Sequence, residues 1–218
     1  HRTSPCMFGS LGQSLAAGRT RAAKAPELLA EVAKAAAEMD GVKHMVMTTG
    51  TPKGDDRGCA ILAESVRAVK AAVDLPVQVQ SEPPEDFGWF QRLKEAGADA
   101  LGMHLEAVTP EVRQRIMPGK AQVSVEKYME AFAASVPVFG RGQVSTYILA
   151  GLGDTPEAIL SLSEKLIVLG DYPYVVPFVP ISGTPLESHP TPSSAFMNSI
   201  LAPLSRMLVD GGLKATDI

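Results

Sequence analysis

Cysteine is scarce in this chain of 218 residues, which holds Cys6, Cys59 and no other. Two thiols so far apart cannot form a CxxC pair or a local metal knuckle, and the low count reads as a reducing, cytoplasmic setting. An excess of one charge is also lacking. With 20 basic against 24 acidic residues and a net charge of −4, the chain offers no footprint for a phosphate backbone or an anionic bilayer, so neither nucleic acid nor membrane is an expected partner. No apolar run approaches about 18 residues, and no charged start, apolar core and small-residue cleavage site opens the chain. GxxxxGK, HExxH, His/Cys metal spacing and a Ser/His/Asp order are absent too. No repeat, linker or low-complexity tract divides the sequence.

What is present is the profile of one folded domain spanning 1–218, with 45% apolar and 20% charged residues. Residues 1–20 read as an irregular entry segment. Helical spacing is predicted for 22–39, 57–73, 85–96, 110–116, 124–135, 156–169 and 192–209. Short apolar stretches at 43–48, 76–80, 98–104, 143–150 and 174–179 read as strands. Asp154-Thr155-Pro156-Glu157 is a helix start, with a cap, proline at the first position and an acid in the first turn. Strands alternating with helices predict an α/β fold with a mostly parallel sheet. Five strands are too few for a full eight-fold barrel, so an open or partial barrel is expected.

In such folds ligands lie beyond the carboxyl ends of the strands. The loops there carry Thr49, Gly50 and Thr51; then Gln78, Gln80, Ser81 and Glu82; then His104 and Glu106; then Gly151 to Asp154; and last the stretch from Pro177 to Glu187. Glu82 and Glu106 either cap helices or touch a ligand. Gly151 and Gly153 either make a tight turn or let a flat group approach the backbone. His104 reads as a packing or supporting residue, Lys120 as a solvated loop charge, and Met45, Met47 and Met103 as core fillers.

Three strings in these loops carry a resemblance: Met103-His104-Leu105-Glu106 with Pro118-Gly119, Tyr147 to Asp154, and Val179 to Glu187. From about residue 20 onward the chain resembles the later part of a radical S-adenosylmethionine (SAM) enzyme core, in the branch of biotin synthase, lipoyl synthase and the HydE-type maturases. Its wording is similar to the radical SAM family encoded beside a nitrilase in bacterial gene clusters. The resemblance implies a partial parallel β/α barrel whose first strand and cluster loop are missing from these residues. It implies two cofactors, SAM and a [4Fe-4S] cluster, the latter held by three cysteines, typically CxxxCxxC, that this chain does not supply.

By the same resemblance Thr49, Gly50 and Thr51 match the turn that holds the SAM amino group, with Thr51 standing where a Glu is common. Glu106 matches a residue near the ribose and methionine. Leu149, Gly151, Gly153 and Asp154 match the adenine motif, and Val176, Pro177 and Phe178 supply backbone contacts to adenine. Glu82, Ser182, Gly183 and Thr184 border the substrate. The implied reaction is reductive cleavage of SAM to a 5′-deoxyadenosyl radical that takes hydrogen from a small substrate, with electrons from a donor such as a flavodoxin or ferredoxin. Two other readings stay open: a cofactor-free barrel lyase or phosphate-sugar enzyme with Glu106 as base and the 151–154 turn on phosphate, and a non-catalytic nucleoside-binding barrel.

Overall fold

The computed structural model describes residues 6–50 and 54–217. Strands β1 (Met45–Thr48), β2 (Val77–Gln80), β3 (Ala100–Gly102), β4 (Val144–Ala150) and β5 (Asp171–Pro177) form one parallel sheet in chain order. Helices α1 (Leu11–Ala16) and α2 (Pro26–Asp40) precede β1. The crossovers carry α3 (Cys59–Ala72), α4 (Gly88–Glu95), α5 (Pro110–Ile116) with α6 (Val125–Phe139), and α7 (Pro156–Leu169), and α8 (Ser194–Asp210) follows β5. Parallel crossovers of one hand, taken in strict chain order, place the helices on one face of the sheet, as in a barrel opened along a seam.

Alternation along the strands then sorts the side chains. Met47, Val79, Leu101, Val144, Ile148 and Val175 point into the helix-covered core. Their neighbours point to the inner face, which leaves Val46 46% and Tyr147 37% exposed. The helices start where local chemistry dictates. Thr155 accepts a hydrogen bond from the Ala158 amide, with Pro156 and Glu157 in the first turn, and Ser124 accepts from the Lys127 amide. Gly41 (φ 66°) and Gly170 (φ 100°) end α2 and α7 in the left-handed region.

Three expectations need correction. The entry segment contains α1, and residues just before it are packed: the Met7 amide bonds the Ile116 carbonyl at 2.9 Å, and Phe8 meets Phe178 edge-on at 6.3 Å. Together they cover a second apolar cluster of Ala107, Val112, Ile116, Met117, Leu152 and Phe178. Strand β5 begins at Asp171 rather than Tyr174, because Pro173 is tolerated on an edge strand, whose outer side pairs with no strand among the described residues. Helix α6 runs through Pro137 to Phe139 instead of stopping at Ser135. Among the described residues no helix is long and apolar enough to cross a membrane.

Candidate functional site

The ladder between β3 and β4 is interrupted just beyond Gly102, and side chains close the gap. The Leu105 amide donates to Thr146 Oγ1 (3.0 Å), and the Tyr147 amide donates to His104 Nδ1 (3.2 Å). Backbone pairing resumes at Glu106, whose amide donates to the Tyr147 carbonyl and whose carbonyl accepts from the Leu149 amide, both at 2.8 Å. Glu106 itself has φ +64°, a left-handed conformation that costs a non-glycine residue about 1–2 kcal/mol.

That conformation is held by Arg113 of α5, which is only 1% exposed. Its Nη1 donates to the carbonyls of Leu105 (2.5 Å) and Ala107 (3.3 Å), on either side of Glu106. Its Nη2 donates to the carbonyls of Lys120 (3.3 Å) and Val123 (3.1 Å). Lys120 Nζ in turn lies 3.0 Å from Glu106 Oε2, with both side chains under one-fifth exposed. Burial by itself lowers the Lys120 pKa, but Glu106, with Tyr128 and Glu82 behind it, more than reverses this and holds the ammonium above its ordinary range. Lys120 is therefore a half-buried ion-pair partner and not the solvated loop charge that its Pro-Gly context suggested. Glu82 is 8% exposed at the end of β2.

Below this charged rim the inner face carries a polar and aromatic lining. Gln78 Nε2 donates to Ser145 Oγ (3.3 Å), and Gln80 Nε2 donates to Gln78 Oε1 (3.4 Å). Tyr147 stacks on Tyr174 with ring centroids 5.2 Å apart and planes 18° from parallel, and His104 meets Tyr147 edge-on at 4.9 Å. Burial, helped by the Lys120 charge, lowers the His104 pKa to about 4. A neutral ring is what its accepted bond requires, so His104 supports the strand gap, in keeping with its expected role.

The other expected residues divide into two groups. Thr49 is tied to β2, its amide donating to the Gln80 carbonyl at 3.3 Å, and Gly50 has open space where a side chain would stand. Thr51 lies outside the described residues. Leu149 and Val176 are register partners on the inner face above the tyrosine stack. Pro177 is exposed, and the Phe178 amide donates to the Ala150 carbonyl at 2.8 Å.

Gly151 (φ +105°) is roofed by the protein itself: a Cβ there would stand 2.9 Å from Pro192, and His189 Nε2 bonds its carbonyl at 2.8 Å. Gly153 and Asp154 face away, toward the β3–α5 turn. A Cβ on Gly153 would collide with Arg115. Both Asp154 oxygens are engaged, by the amides of Val108 (2.8 Å) and Thr109 (3.0 Å) and by the Thr109 hydroxyl (2.5 Å). Ser182 and Gly183 are exposed, with the Gly183 amide bonded to Glu187 (2.7 Å), and the Thr184 hydroxyl closes the turn onto the Ile181 carbonyl.

Sequence reasoning missed Arg113, Thr146, Tyr147 and Tyr174 and undervalued Lys120, since each acts through a neighbour that only the fold brings near. A surface groove of about 590 Å³ between α6 and α7, lined by Met129, Ala133, Glu164 and Val168, lies in the helical layer and not at the strand ends.

A nucleoside with a charged tail fits this rim, which offers an apolar wall beside a half-buried acid and ammonium. An iron–sulfur cluster does not fit. Iron clusters need several thiolates, and burial pushes the Cys59 thiol up to about 11 while it rests against Ser81. Among the described residues no three His, Cys, Asp or Glu side chains are grouped to hold a metal.

Residues 4–166 match the model of the radical SAM superfamily, so the likeness begins well before residue 20 and stops short of the Gly-Thr-Pro-Leu-Glu string. Bacteriochlorophyllide c C-7(1)-hydroxylase of Chlorobaculum limnaeum is 30% identical over 126 residues, which are 57% of this chain and 31% of that protein. The fold is similar to methylornithine synthase (PylB), with TM-score 0.66 and 17% identity, covering 98% of this chain and 67% of that one. It is also similar to HydG, a maturase of the [FeFe]-hydrogenase, with TM-score 0.66 and 16% identity, over 85% of this chain and 43% of that one.

Proposed function

This chain belongs to the radical SAM superfamily, and on that premise we propose that it is the SAM-binding core of an enzyme acting on a small molecule. Enzymes of this family use SAM and a [4Fe-4S] cluster. When bound, SAM supplies a one-electron route to breaking an unactivated C–H bond. These 218 residues carry two cysteines and do not furnish three thiolates. What they do is bind, orient and exclude water.

The observation that carries the reading is the half-buried Lys120–Glu106 pair at the carboxyl rim, beside the Leu149–Val176 wall. In this reading the wall and the backbone of Val176, Pro177 and Phe178 face adenine. Glu106 faces the ribose and methionine part, and the Thr49–Gly50 turn faces the amino group. Gly151 shapes the adenine side from under Pro192, and Gly153 and Asp154 brace it from behind. Glu82, Ser182, Gly183 and Thr184 border the substrate. The reductant is a separate redox protein such as a flavodoxin or ferredoxin.

Calorimetric titration of SAM and of 5′-deoxyadenosine tests the reading. Both should bind, and Glu106→Gln should weaken SAM by about tenfold, the loss of one charge-assisted hydrogen bond. No heat from either ligand at millimolar concentration overturns it.

A further inference from the structure

The inner face of the sheet is free of charge although it lies directly beneath a charged rim. The β1–β5 register puts Val46, Gln78 and Ala100 in one row and Thr48, Gln80, Gly102, Ser145 and Tyr172 in the next. Tyr147 with Tyr174 and Leu149 with Val176 lie above them. None of these residues is Asp, Glu, Lys or Arg. Asp171 is the only acid within the strands, and alternation turns it to the opposite face, where it is fully buried.

Two kinds of group occupy this face instead. Three of the four tyrosines of the chain are here, and Tyr147, stacked on Tyr174, keeps 37% of its surface exposed. An exposed ring inside a concave sheet is a platform on which a flat ligand can stack. Beside it stand the amides of Gln78 and Gln80 and the hydroxyl of Ser145, which together offer both donors and acceptors. With Nδ1 of His104 accepting from the Tyr147 amide, its proton sits on Nε2, so that nitrogen is a donor.

We infer that this face selects an uncharged, planar substrate with an amide-like or carbonyl edge, and rejects the corresponding carboxylate. The reason is desolvation: a carboxylate among amides and rings would be buried without a cation, whereas an amide finds matching donors and acceptors. Lys120, the cation at the rim above, is held by Glu106. The inference rests on the SAM-binding reading only for calling this ligand the substrate, since the lining itself is independent of SAM.

Benzamide and benzoate, equal in shape and different in charge, are the probes. Binding to the 218-residue protein is followed by saturation-transfer NMR and calorimetry at neutral pH, beside a separate titration of 5′-deoxyadenosine. Benzamide should bind at least about tenfold more tightly than benzoate. Gln78→Leu should remove most of that preference, while Tyr147→Leu should weaken both probes in a variant that circular dichroism shows to be folded. Benzoate binding as tightly as benzamide overturns the inference. So does a failure of both probes to bind, or benzamide binding that Tyr147→Leu leaves unmoved. Benzamide preference without 5′-deoxyadenosine binding overturns the SAM reading alone, and the converse overturns this inference alone.

Discussion

Arg113 touches Glu106 only through the carbonyls of its two neighbours, yet it sets where that carboxylate stands. Nη1 reaches the Leu105 and Ala107 carbonyls while Nη2 reaches the Lys120 carbonyl, so one guanidinium holds both ends of the Glu106–Lys120 pair. Tyr128, fully buried, packs 5.1 Å beneath it.

Arg113→Met strips the buried Ala107 and Val123 carbonyls of their donor and leaves the Leu105 and Lys120 carbonyls only the amides of Ala107 and Val123, and an expected loss of about 2–4 kcal/mol in urea unfolding follows. Arg113→Lys should recover less than half of it, because an ammonium cannot span the forked arrangement. A loss below about 1 kcal/mol would mean that the carbonyls find other partners.

Lys120→Met and Glu106→Gln should be strongly coupled. Each alone strands a partly buried partner, and a double-mutant cycle should return about 1–3 kcal/mol of interaction. With the Lys120 pKa raised in the folded state, its contribution is full below the unfolded lysine value of about 10.4 and is lost as pH climbs through the folded one. Denaturation midpoints across alkaline pH check the sign.

Acid should weaken the fold through His104. Its folded pKa of about 4 lies below the unfolded value of about 6.5, so the unfolded chain binds the proton first and stability declines as pH falls between the two. The decline attributable to this residue is about 2–3 kcal/mol. His104→Gln, which keeps an acceptor for the Tyr147 amide, should flatten it. An unchanged pH profile in that variant would remove His104 as the cause.

Asp171 works in the opposite direction. Burial raises its pKa well above the ordinary carboxylate range, so the folded form holds a proton that the unfolded chain releases, and stability falls as pH rises through that window. Asp171→Leu should raise stability at neutral pH by about 1–3 kcal/mol and remove this slope. Melting curves at acidic and neutral pH test both effects.

The order of helices and strands was legible in the sequence because period and punctuation are local. The Pro156–Leu169 helix stands where its capping signal put it, and the Pro110–Ile116 helix has the bounds that its spacing predicted. Local signals also sufficed for the carboxyl-end loops, since a parallel sheet allows its ligands one rim. What they could not show were relations between distant positions. Lys120 follows Pro-Gly like any surface lysine, and only folding carries it to Glu106. Asp154 stands in a helix-start string, and only the fold brings Val108 and Thr109 to its oxygens. The chain order thus determined the sheet and its rim, because backbone sterics and hydrophobic period act over a few residues. Which charges are buried, paired or turned away was decided by the tertiary structure alone, because the electrostatic energy of a side chain depends on neighbours that sequence distance does not reveal.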